Sequence, residues 1–490
     1  MVAVARSDRR AEILAALASV RPALAVVAEP ERLAAFETDA YIQHRATPMA
    51  AALPDCADQV RQVARALASL GAALVSRGAG TGLSGGAIPD PDGVLLVLTR
   101  MRRVLAVDGL ARLATVEPGV ANAMVTEAAA PAGLYFAPDP SSQVVSSIGG
   151  NIAENAGGVH CLKYGLTVHN VVGLHVVDGE GELLEVGGAA LDSPGYDLLA
   201  VLAGSEGNLG VITQATLRLL PRPEATETLL AAFGTVKAGA EAVGAIIGAG
   251  VIPAAIEMMD RVVIDACERY MALGLPKAEA LLLVEVDGGA EETAEMLAAV
   301  RTILDSCGAT EVRVAKDAGE RASLWKSRKG AFAALATVMP DYYTMDGTIP
   351  RRALPEVLES IYALGREYGM VIGNVFHAGD GNMHPCIFYD SSKAGELERS
   401  EELGGKILEL CIDHGGTITG EHGVGIEKLK AMCLQFRAGE IAAFHDVKRA
   451  FDPAGILNPG KAVPSLKRCA EWGGMHVRGG HVPRPDIPRF

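Results

Sequence analysis

Residues 77–87 read RGAGTGLSGGA and hold five glycines within nine positions. They follow a predicted strand at 73–76 and contain the pattern G-x-G-x-x-G at 80–85. A nicotinamide-type dinucleotide fold needs a helix to begin inside this pattern. Residues 87–93 instead read AIPDPDG, whose two prolines disfavour a helix. The stretch therefore predicts a glycine loop at a strand exit, with backbone N–H groups that close on an anion.

Two more glycine-rich segments follow along the chain. Residues 138–158 read PDPSSQVVSSIGGNIAENAGG, and residues 204–213 read GSEGNLGVIT and pass into a predicted strand. Small residues let the backbone approach a flat ligand closely, and Asn and Ser side chains bind carbonyl and phosphate oxygens. One such loop would be an ordinary flexible loop, but three in succession predict a cofactor site.

The order and spacing of these segments resemble the FAD-binding half of the vanillyl-alcohol oxidase and p-cresol methylhydroxylase superfamily. The resemblance implies a pyrophosphate cradle formed by Arg77, Gly78, Ala79, Gly80, Thr81, Gly82, Leu83 and Ser84. It implies a flavin lined by Pro138, Asp139, Ser142, Gly149, Asn151, Asn155 and Gly158, and further FAD contacts by Glu206, Val211, Ile212 and Asn458, with the adenine at Val211 and Ile212. We expect noncovalent FAD, because nothing in the sequence requires a bond to the nearby His160 or Cys161.

A stronger chemical signal lies at residues 371–389, VIGNVFHAGDGNMHPCIFY. Two apolar runs flank Ala-Gly-Asp-Gly-Asn, which predicts a hairpin. His377 ends the first predicted strand and His384 begins the second. Across a tight hairpin the two imidazoles can converge, as they must to share a metal.

Residues 417–425, TITGEHGVG, place a carboxylate and an imidazole in tandem between glycines. Glu421 could complete a metal-binding set with the two histidines. His422 suits a general base, because an imidazole titrates near neutrality. Any one of these residues would be an incidental turn residue, but the set in glycine-rich loops predicts a catalytic site.

These loops resemble the D-lactate, glycolate and D-2-hydroxyglutarate dehydrogenase family, and the similarity to glycolate oxidase flavin subunits runs over essentially the whole chain. The shared stretches include DYYTMDGTIPRRALP, EELGGKILELC and FDPAGILNPGK, at 341–355, 401–411 and 451–461. The resemblance implies that His377, His384 and Glu421 bind a divalent metal, Zn or Mn, that His422 takes the substrate proton, and that Arg328 holds the substrate carboxylate.

The implied reaction is the oxidation of a small 2-hydroxy acid, glycolate to glyoxylate or D-lactate to pyruvate. The metal would lower the pKa of the hydroxyl, and the flavin would accept the hydride. Hydroxyglutarate dehydrogenases of this family carry a lysine for the distal carboxylate where this chain has Thr344. A threonine cannot neutralise a second buried charge, so we expect discrimination against D-2-hydroxyglutarate.

The predicted fold class is α+β. We expect an N-terminal helical segment at 1–50, an FAD-binding domain at 51–225, a substrate domain with C-terminal FAD-contacting helices at 226–465, and a tail at 466–490. Strand–helix alternation from 226 to 315 predicts a ferredoxin-like sheet, and helices dominate the rest of the C-terminal region.

Composition narrows the function classes. The net charge of -15 argues against nucleic acid as the main partner. The eight cysteines include no Cys-x-x-Cys pair, so we expect reduced thiols and no iron–sulfur cluster in this chain. No apolar run is long enough to span a bilayer. We therefore expect a cytoplasmic protein that reaches the cytoplasmic face of the inner membrane only through partners.

A flavin without a cluster must pass its electrons to another molecule. The resemblance implies a second FAD-domain subunit and an iron–sulfur subunit as partners. Three alternatives stay open: a D-lactate or other D-2-hydroxy-acid dehydrogenase acting alone, a non-catalytic FAD electron-transfer subunit, and a zinc hydrolase. The electron-transfer alternative leaves the Glu421–His422 turn unexplained, and the hydrolase alternative leaves the three glycine segments unexplained.

Overall fold

The computed structural model describes residues 2–190 and 195–465, so the predicted tail at 466–490 lies outside the described residues. The chain divides into two compact units. The first contains Met1–Ala156, Leu166–Arg222 and His422–Phe490, and the second contains Gly157–Gly165 and Pro223–Glu421.

This division differs from the predicted domains in three places. The N-terminal 50 residues do not stand apart, because Ile13 and Leu17 pack into one hydrophobic cluster with Val60 and Val63. Residues 157–165 belong to the second unit although they begin within the second glycine segment, and the chain returns to the first unit at 422.

The helices of the described residues alternate with the strands through most of the chain. They are α1 Val2–Ala18, α2 Pro30–Leu33, α3 Ala57–Leu70, α4 Asn122–Ala129, α5 Ile148–Glu154, α6 Cys161–Tyr164, α7 Leu198–Leu202, α8 Val236–Gly248, α9 Arg261–Met271, α10 Ala290–Ser306, α11 Ala318–Lys329, α12 Ala331–Leu335, α13 Leu354–Tyr368, α14 Glu396–Asp413, α15 Leu429–Gln435 and α16 Ala438–Phe451. Among the described residues, no helix combines the length and the apolar character needed to cross a membrane.

The first unit is built on two main sheets. Its strands are β1 Ala25–Val27, β2 Ala50–Leu53, β3 Leu74–Arg77, β4 Val94–Val97, β5 Val104–Asp108, β6 Leu113–Val116, β7 Leu134–Tyr135, β8 Val171–Val177, β9 Leu183–Gly187, β10 Val211–Arg218 and β11 Leu220–Pro221. A four-stranded sheet has the order β1-β2-β4-β3, and a five-stranded antiparallel sheet has the order β5-β6-β10-β8-β9. Strand β3 delivers the chain into the glycine loop, which contains no helix, as its prolines predict.

Helix α3 shows how the sequence pattern determines local structure and packing in the first unit. Its buried residues recur at helical spacing and pack into the core with the four-stranded sheet, and the helix ends at Gly71, whose left-handed conformation favours glycine. The N-cap residue is Cys56. The preceding residue, Asp55, pairs with Arg100, with its Oδ1 2.7 Å from the Arg100 Nε.

The second unit contains one seven-stranded sheet with the order β15-β12-β14-β13-β17-β18-β16, antiparallel at every pairing. Its strands are β12 Ala225–Phe233, β13 Ala255–Asp260, β14 Ala280–Gly288, β15 Ala309–Val314, β16 Asp341–Thr344, β17 Ile372–His377 and β18 Pro385–Tyr389. The first four strands in sequence stand in the order fourth, first, third, second, which is the ferredoxin-like arrangement predicted for 226–315. The predicted hairpin at 371–389 forms from β17 and β18.

The expectation that the cysteines are reduced thiols holds for part of the set. Cys56, Cys161, Cys267, Cys307, Cys386 and Cys411 are free thiols. Cys433 is disulfide-bonded, which corrects the expectation of reduced thiols throughout.

Candidate functional site

The hairpin and the Glu421 loop bring three potential metal ligands together inside the second unit. His377 Nε2 lies 3.2 Å from Glu421 Oε1, and His384 Nε2 lies 3.0 Å from the same oxygen. Ligand atoms about 2.1 Å from one ion are separated by roughly 3.0–3.4 Å. Two imidazole nitrogens and one carboxylate oxygen suit Zn or Mn. The spacing and donor types therefore fit a divalent metal.

The backbone around Glu421 is fixed by its neighbours. The Gly420 N–H donates to the Asp346 carbonyl at 2.9 Å, and the Glu421 N–H donates to the Asp346 carboxylate at 3.2 Å. The Gly157 N–H donates to Glu421 Oε2 at 3.0 Å, which leaves Oε1 toward the two histidines. The site is thus held by contacts that do not use the candidate ligand atoms.

Burial and charge set the protonation of these groups. Burial alone would lower the pKa of His377, but the Glu257 and Glu421 carboxylates raise it well above its usual value. Burial alone would raise the pKa of Glu421, but hydrogen bonds and charge from His377 and His384 hold it well below its usual range. Without a metal, a proton on an imidazole balances the carboxylate, and a cation at this position would take over that role.

Arg328 lies on α11 and its side chain is 1% exposed. Its Nε donates to Glu257 Oε2 at 2.5 Å, and its Nη2 has no hydrogen-bond partner among the described residues. If Arg328 binds a substrate carboxylate as predicted, it has to do so with the guanidinium N–H groups that do not donate to Glu257. A buried guanidinium nitrogen without a partner is costly unless a ligand satisfies it.

Glu257 is a further residue of this site that was not among the residues predicted from the sequence. It stands in β13, AIEMMD, and its carboxylate joins Arg328 to His377 Nδ1, the latter at 2.7 Å from Oε1. The available signal was a charged residue inside an otherwise apolar strand, since a carboxylate is almost never fully buried unless it is paired.

In the first unit, the glycine loop 78–83 is half-buried to exposed and Ser84 is fully buried. Arg77 donates to the Thr38 carbonyl at 2.7 Å and folds over Gly80, where φ is +75° and a side chain would collide with the guanidinium. At Gly82 the nearest atom to an added Cβ is Glu154 Oε1, 3.9 Å away. The loop is thus rigid at Gly80 and open at Gly82.

Several buried polar atoms in this unit lack protein partners among the described residues. They include the amide nitrogens of Asn122 and Asn151, the Ser146 hydroxyl, the Glu154 Oε2 and the Asn208 and Asn458 amide oxygens. A polar, flat cofactor would satisfy atoms of this kind. Together with the loop that is open at Gly82, they fit an FAD site.

The remaining predicted cofactor residues have mixed surroundings. Pro138 and Gly149 are buried, and Asp139 and Ser142 are half-buried. The side chains of Val211 and Ile212 pack into two different hydrophobic clusters. Asn155 Oδ1 accepts from the Val168 N–H at 2.9 Å, and Gly158 belongs to the second unit.

Two of the predicted cofactor residues hold the turn that carries His422. The Ser84 hydroxyl donates to the His422 carbonyl at 2.9 Å. The Glu206 carboxylate accepts from the Val424 N–H at 2.7 Å and from the Gly425 N–H at 2.6 Å. Asn458 donates to the Glu206 carbonyl at 2.5 Å. The His422 backbone is therefore fixed within the first unit, without use of its imidazole.

Comparison with known proteins places this geometry in a family. A model of an FAD binding domain matches residues 48–187, and a model of the C-terminal domain of FAD linked oxidases matches residues 222–462. Glycolate oxidase subunit GlcD of Escherichia coli K12 is 52% identical over 482 residues, covering 98% of this chain and 97% of that protein. The GlcD subunit of Bacillus subtilis 168 is 38% identical over 428 residues, covering 87% of this chain and 91% of that protein.

Among solved structures, p-cresol methylhydroxylase superposes with a TM-score of 0.79 at 15% identity and covers 94% of this chain and 97% of its own. At that identity the likeness shows the fold alone, and it confirms the predicted fold class. The two domain matches and the identity over nearly the whole chain show that the protein belongs to the FAD-linked oxidase family, together with the glycolate oxidase GlcD subunits.

Proposed function

We propose that the protein oxidises small 2-hydroxy acids, glycolate to glyoxylate and D-lactate to pyruvate, with FAD as the hydride acceptor. The observation that carries this proposal is the set of two buried histidines, His377 and His384, with the largely buried Glu421, followed at once in the chain by His422, in a protein with an FAD binding domain. The GlcD relatives, whose names describe glycolate oxidase subunits, support the substrate class.

The residues divide the reaction between them. The two histidines and Glu421 would hold a divalent metal, which polarises the substrate hydroxyl when bound. His422 takes the hydroxyl proton, and Arg328 receives the substrate carboxylate on its free Nη2. FAD, held by the FAD binding domain, would supply the hydride acceptor for the substrate carbon. One proton and one hydride leave the alcohol, and a 2-oxo acid remains.

An anaerobic titration with glycolate and D-lactate tests the proposal. We expect each acid to bleach the flavin absorbance in a one-to-one ratio and to yield the matching 2-oxo acid. A zinc hydrolase would lack the flavin spectrum, and an electron-transfer subunit would keep its oxidised spectrum with either acid. Either result would overturn the proposal.

Cofactor retention is expected to fail in Gly82→Val. The position is open in the protein itself, so the new side chain meets no protein atom closely but fills the space that the phosphates need. We expect an FAD content of less than about a tenth of the wild-type value at an unchanged melting temperature. The flavin of wild-type protein is released by acid precipitation if it is noncovalent. Gly234→Val, at an exposed position in the second unit where an added Cβ meets nothing within 4 Å, is the control and should retain FAD.

Substrate size is expected to depend on Thr344. This residue ends β16 with its hydroxyl 3.5 Å from the Cys386 sulfur, and the carbonyl of the next residue, Met345, lies 3.2 Å from His384 Nδ1. A lysine here would supply the charge that a second carboxylate requires. We expect Thr344→Lys to raise kcat/KM for D-2-hydroxyglutarate relative to glycolate by roughly tenfold or more, as a charged hydrogen bond contributes.

Thr344→Met is the matched control, because it adds length without charge. Equal shifts in Met and Lys variants would assign the effect to shape. A wild-type preference for D-2-hydroxyglutarate over both small acids would contradict the proposed substrate class.

We propose that electrons from the reduced flavin pass to partner subunits. These partners are a second FAD-domain subunit and an iron–sulfur subunit, and the complex lies at the cytoplasmic face of the inner membrane. The GlcD relatives are named as subunits. We expect a tagged chain purified from its native cells to bring both partners with it. Rapid, stoichiometric peroxide production by the isolated chain would instead indicate a self-sufficient oxidase.

A further inference from the structure

We infer that Glu257 is a positioning residue that sets both the metal ligand His377 and the substrate-binding Arg328, an inference that rests on the proposed function. Its side chain is 1% exposed. One carboxylate oxygen lies 2.7 Å from His377 Nδ1, and the other accepts from Arg328 Nε at 2.5 Å. A single carboxylate thus contacts one residue of the metal set and the one cation proposed to bind substrate.

The sheet brings these residues together. Glu257 on β13 stands opposite His377 on β17 in the antiparallel register. Side chains directly opposite each other lie on the same face of the sheet at about 5 Å between Cβ atoms. The contact with His377 is therefore set by strand pairing, and it does not depend on a flexible loop.

The bond to Nδ1 decides which imidazole nitrogen faces a metal. When Nδ1 donates its proton to Glu257, Nε2 carries the free lone pair, and Nε2 is the atom that points to Glu421. A carboxylate behind a metal-binding histidine fixes the tautomer and ring orientation and raises the basicity of the ligand. Glu257 is thus expected to strengthen metal binding through His377, without contacting the metal itself.

The bond to Arg328 decides where its other donors lie. The guanidinium is planar, so a fixed Nε fixes the direction of the Nη2 donors. Nη2 is buried and has no partner in the described part of the chain. The Arg328 guanidinium also lies 6.0 Å from the centre of the Phe332 ring, which itself makes an edge contact with His384. Arg328 is therefore held beside the metal set in one orientation.

A second buried carboxylate provides a matched control. Glu285 lies on β14, next to β13, and is 7% exposed. It accepts from Trp325 Nε1 at 2.5 Å and from Thr228 at 2.8 Å, and it lies 3.3 Å from His160 Nε2. It resembles Glu257 in burial and in its histidine partner, but that histidine is not one of the proposed metal ligands.

The test compares Glu257→Gln with Glu285→Gln, each purified with FAD. Dissociation constants for Zn²⁺ and Mn²⁺ are measured by chelator competition, and kcat and KM for glycolate are measured at saturating metal. For Glu257→Gln we expect metal binding to weaken about 10- to 100-fold, KM to stay raised at saturating metal, kcat to recover toward the wild-type value, and FAD content to be unchanged. Glu285→Gln should stay within about threefold of wild type in metal affinity.

A neutral residue beside Arg328 could impair folding, so Glu257→Asp is the second variant. It keeps the charge, but it is one methylene too short to reach both partners, and it should weaken metal binding in the same direction. Metal affinity in Glu257→Gln or Glu257→Asp equal to that of wild type would overturn the inference and leave the proposed function intact. A wild-type protein that binds neither metal would overturn the metal-dependent mechanism and the inference with it.

Discussion

Replacing either His377 or Glu421 with Ala is expected to abolish glycolate oxidation while FAD stays bound. Each residue would supply one ligand atom of a three-residue set, in which the Nε2 atoms of His377 and His384 lie 3.2 Å and 3.0 Å from Glu421 Oε1, and a site with two ligands would bind the metal poorly. A bound metal contributes several kcal/mol of charge stabilisation, which corresponds to a loss on the order of a thousandfold. The FAD binding domain matches residues 48–187, a different part of the chain, so flavin absorbance should be unchanged.

The measurements are turnover, metal per chain and flavin per chain. His414→Ala is the control, because this histidine at the end of α14 lies outside the metal set and pairs loosely with Glu356 at 3.7 Å. It should retain metal and activity. Full activity in wild-type protein stripped of metal by a chelator would remove the metal from the mechanism, and His422 would remain the proposed base.

Local patterns predicted much of this architecture. The hairpin at 371–389 was readable because turn residues separate two apolar runs, and the ferredoxin-like strand order followed from regular alternation between 226 and 315. Such signals depend on neighbours in the sequence. They also suggested the convergence of His377 with His384, since a hairpin closes over only seven residues.

The sequence patterns could not predict contacts between residues that are far apart in the chain. Glu257 and His377 are 120 positions apart, and only the pairing of β13 with β17 makes them neighbours. The resemblance suggested that Arg328 binds the substrate carboxylate. It did not indicate that the Arg328 Nε already donates to the buried carboxylate of Glu257. Val211 and Ile212 lie on a strand between two cores, and alternation of side chains sends them to opposite faces.

The same limit explains Ser84 and Glu206. The family resemblance implied cofactor contact for both, and the structure adds that their side chains bind the backbone of the His422 turn, more than 200 positions away. Nothing in either segment signals this partner. A residue that lies in a cofactor-binding motif can therefore also fix the backbone of a distant loop, here the turn that carries His422.

His422→Ala is expected to lower kcat for glycolate by on the order of a hundredfold or more, the usual effect of removing a general base. The turn itself should survive the change. Ser84 binds the carbonyl of residue 422 and Glu206 binds the next N–H groups, so none of these bonds uses the imidazole. Metal and FAD contents should therefore equal those of wild type, which separates loss of a base from loss of the site.

The pH profile provides the sharper test of the role of His422. A base must be neutral to accept the hydroxyl proton, so the wild-type rate should fall as the pH falls, and His422→Ala should lose that acidic limb. A small added base such as imidazole should restore part of the rate at high pH, because it can occupy the space that the side chain leaves. His175→Ala, a histidine of β8 in the same unit, should keep both the rate and the limb. A His422→Ala protein within about threefold of the wild-type rate, with an unchanged pH profile, would assign proton removal to another group.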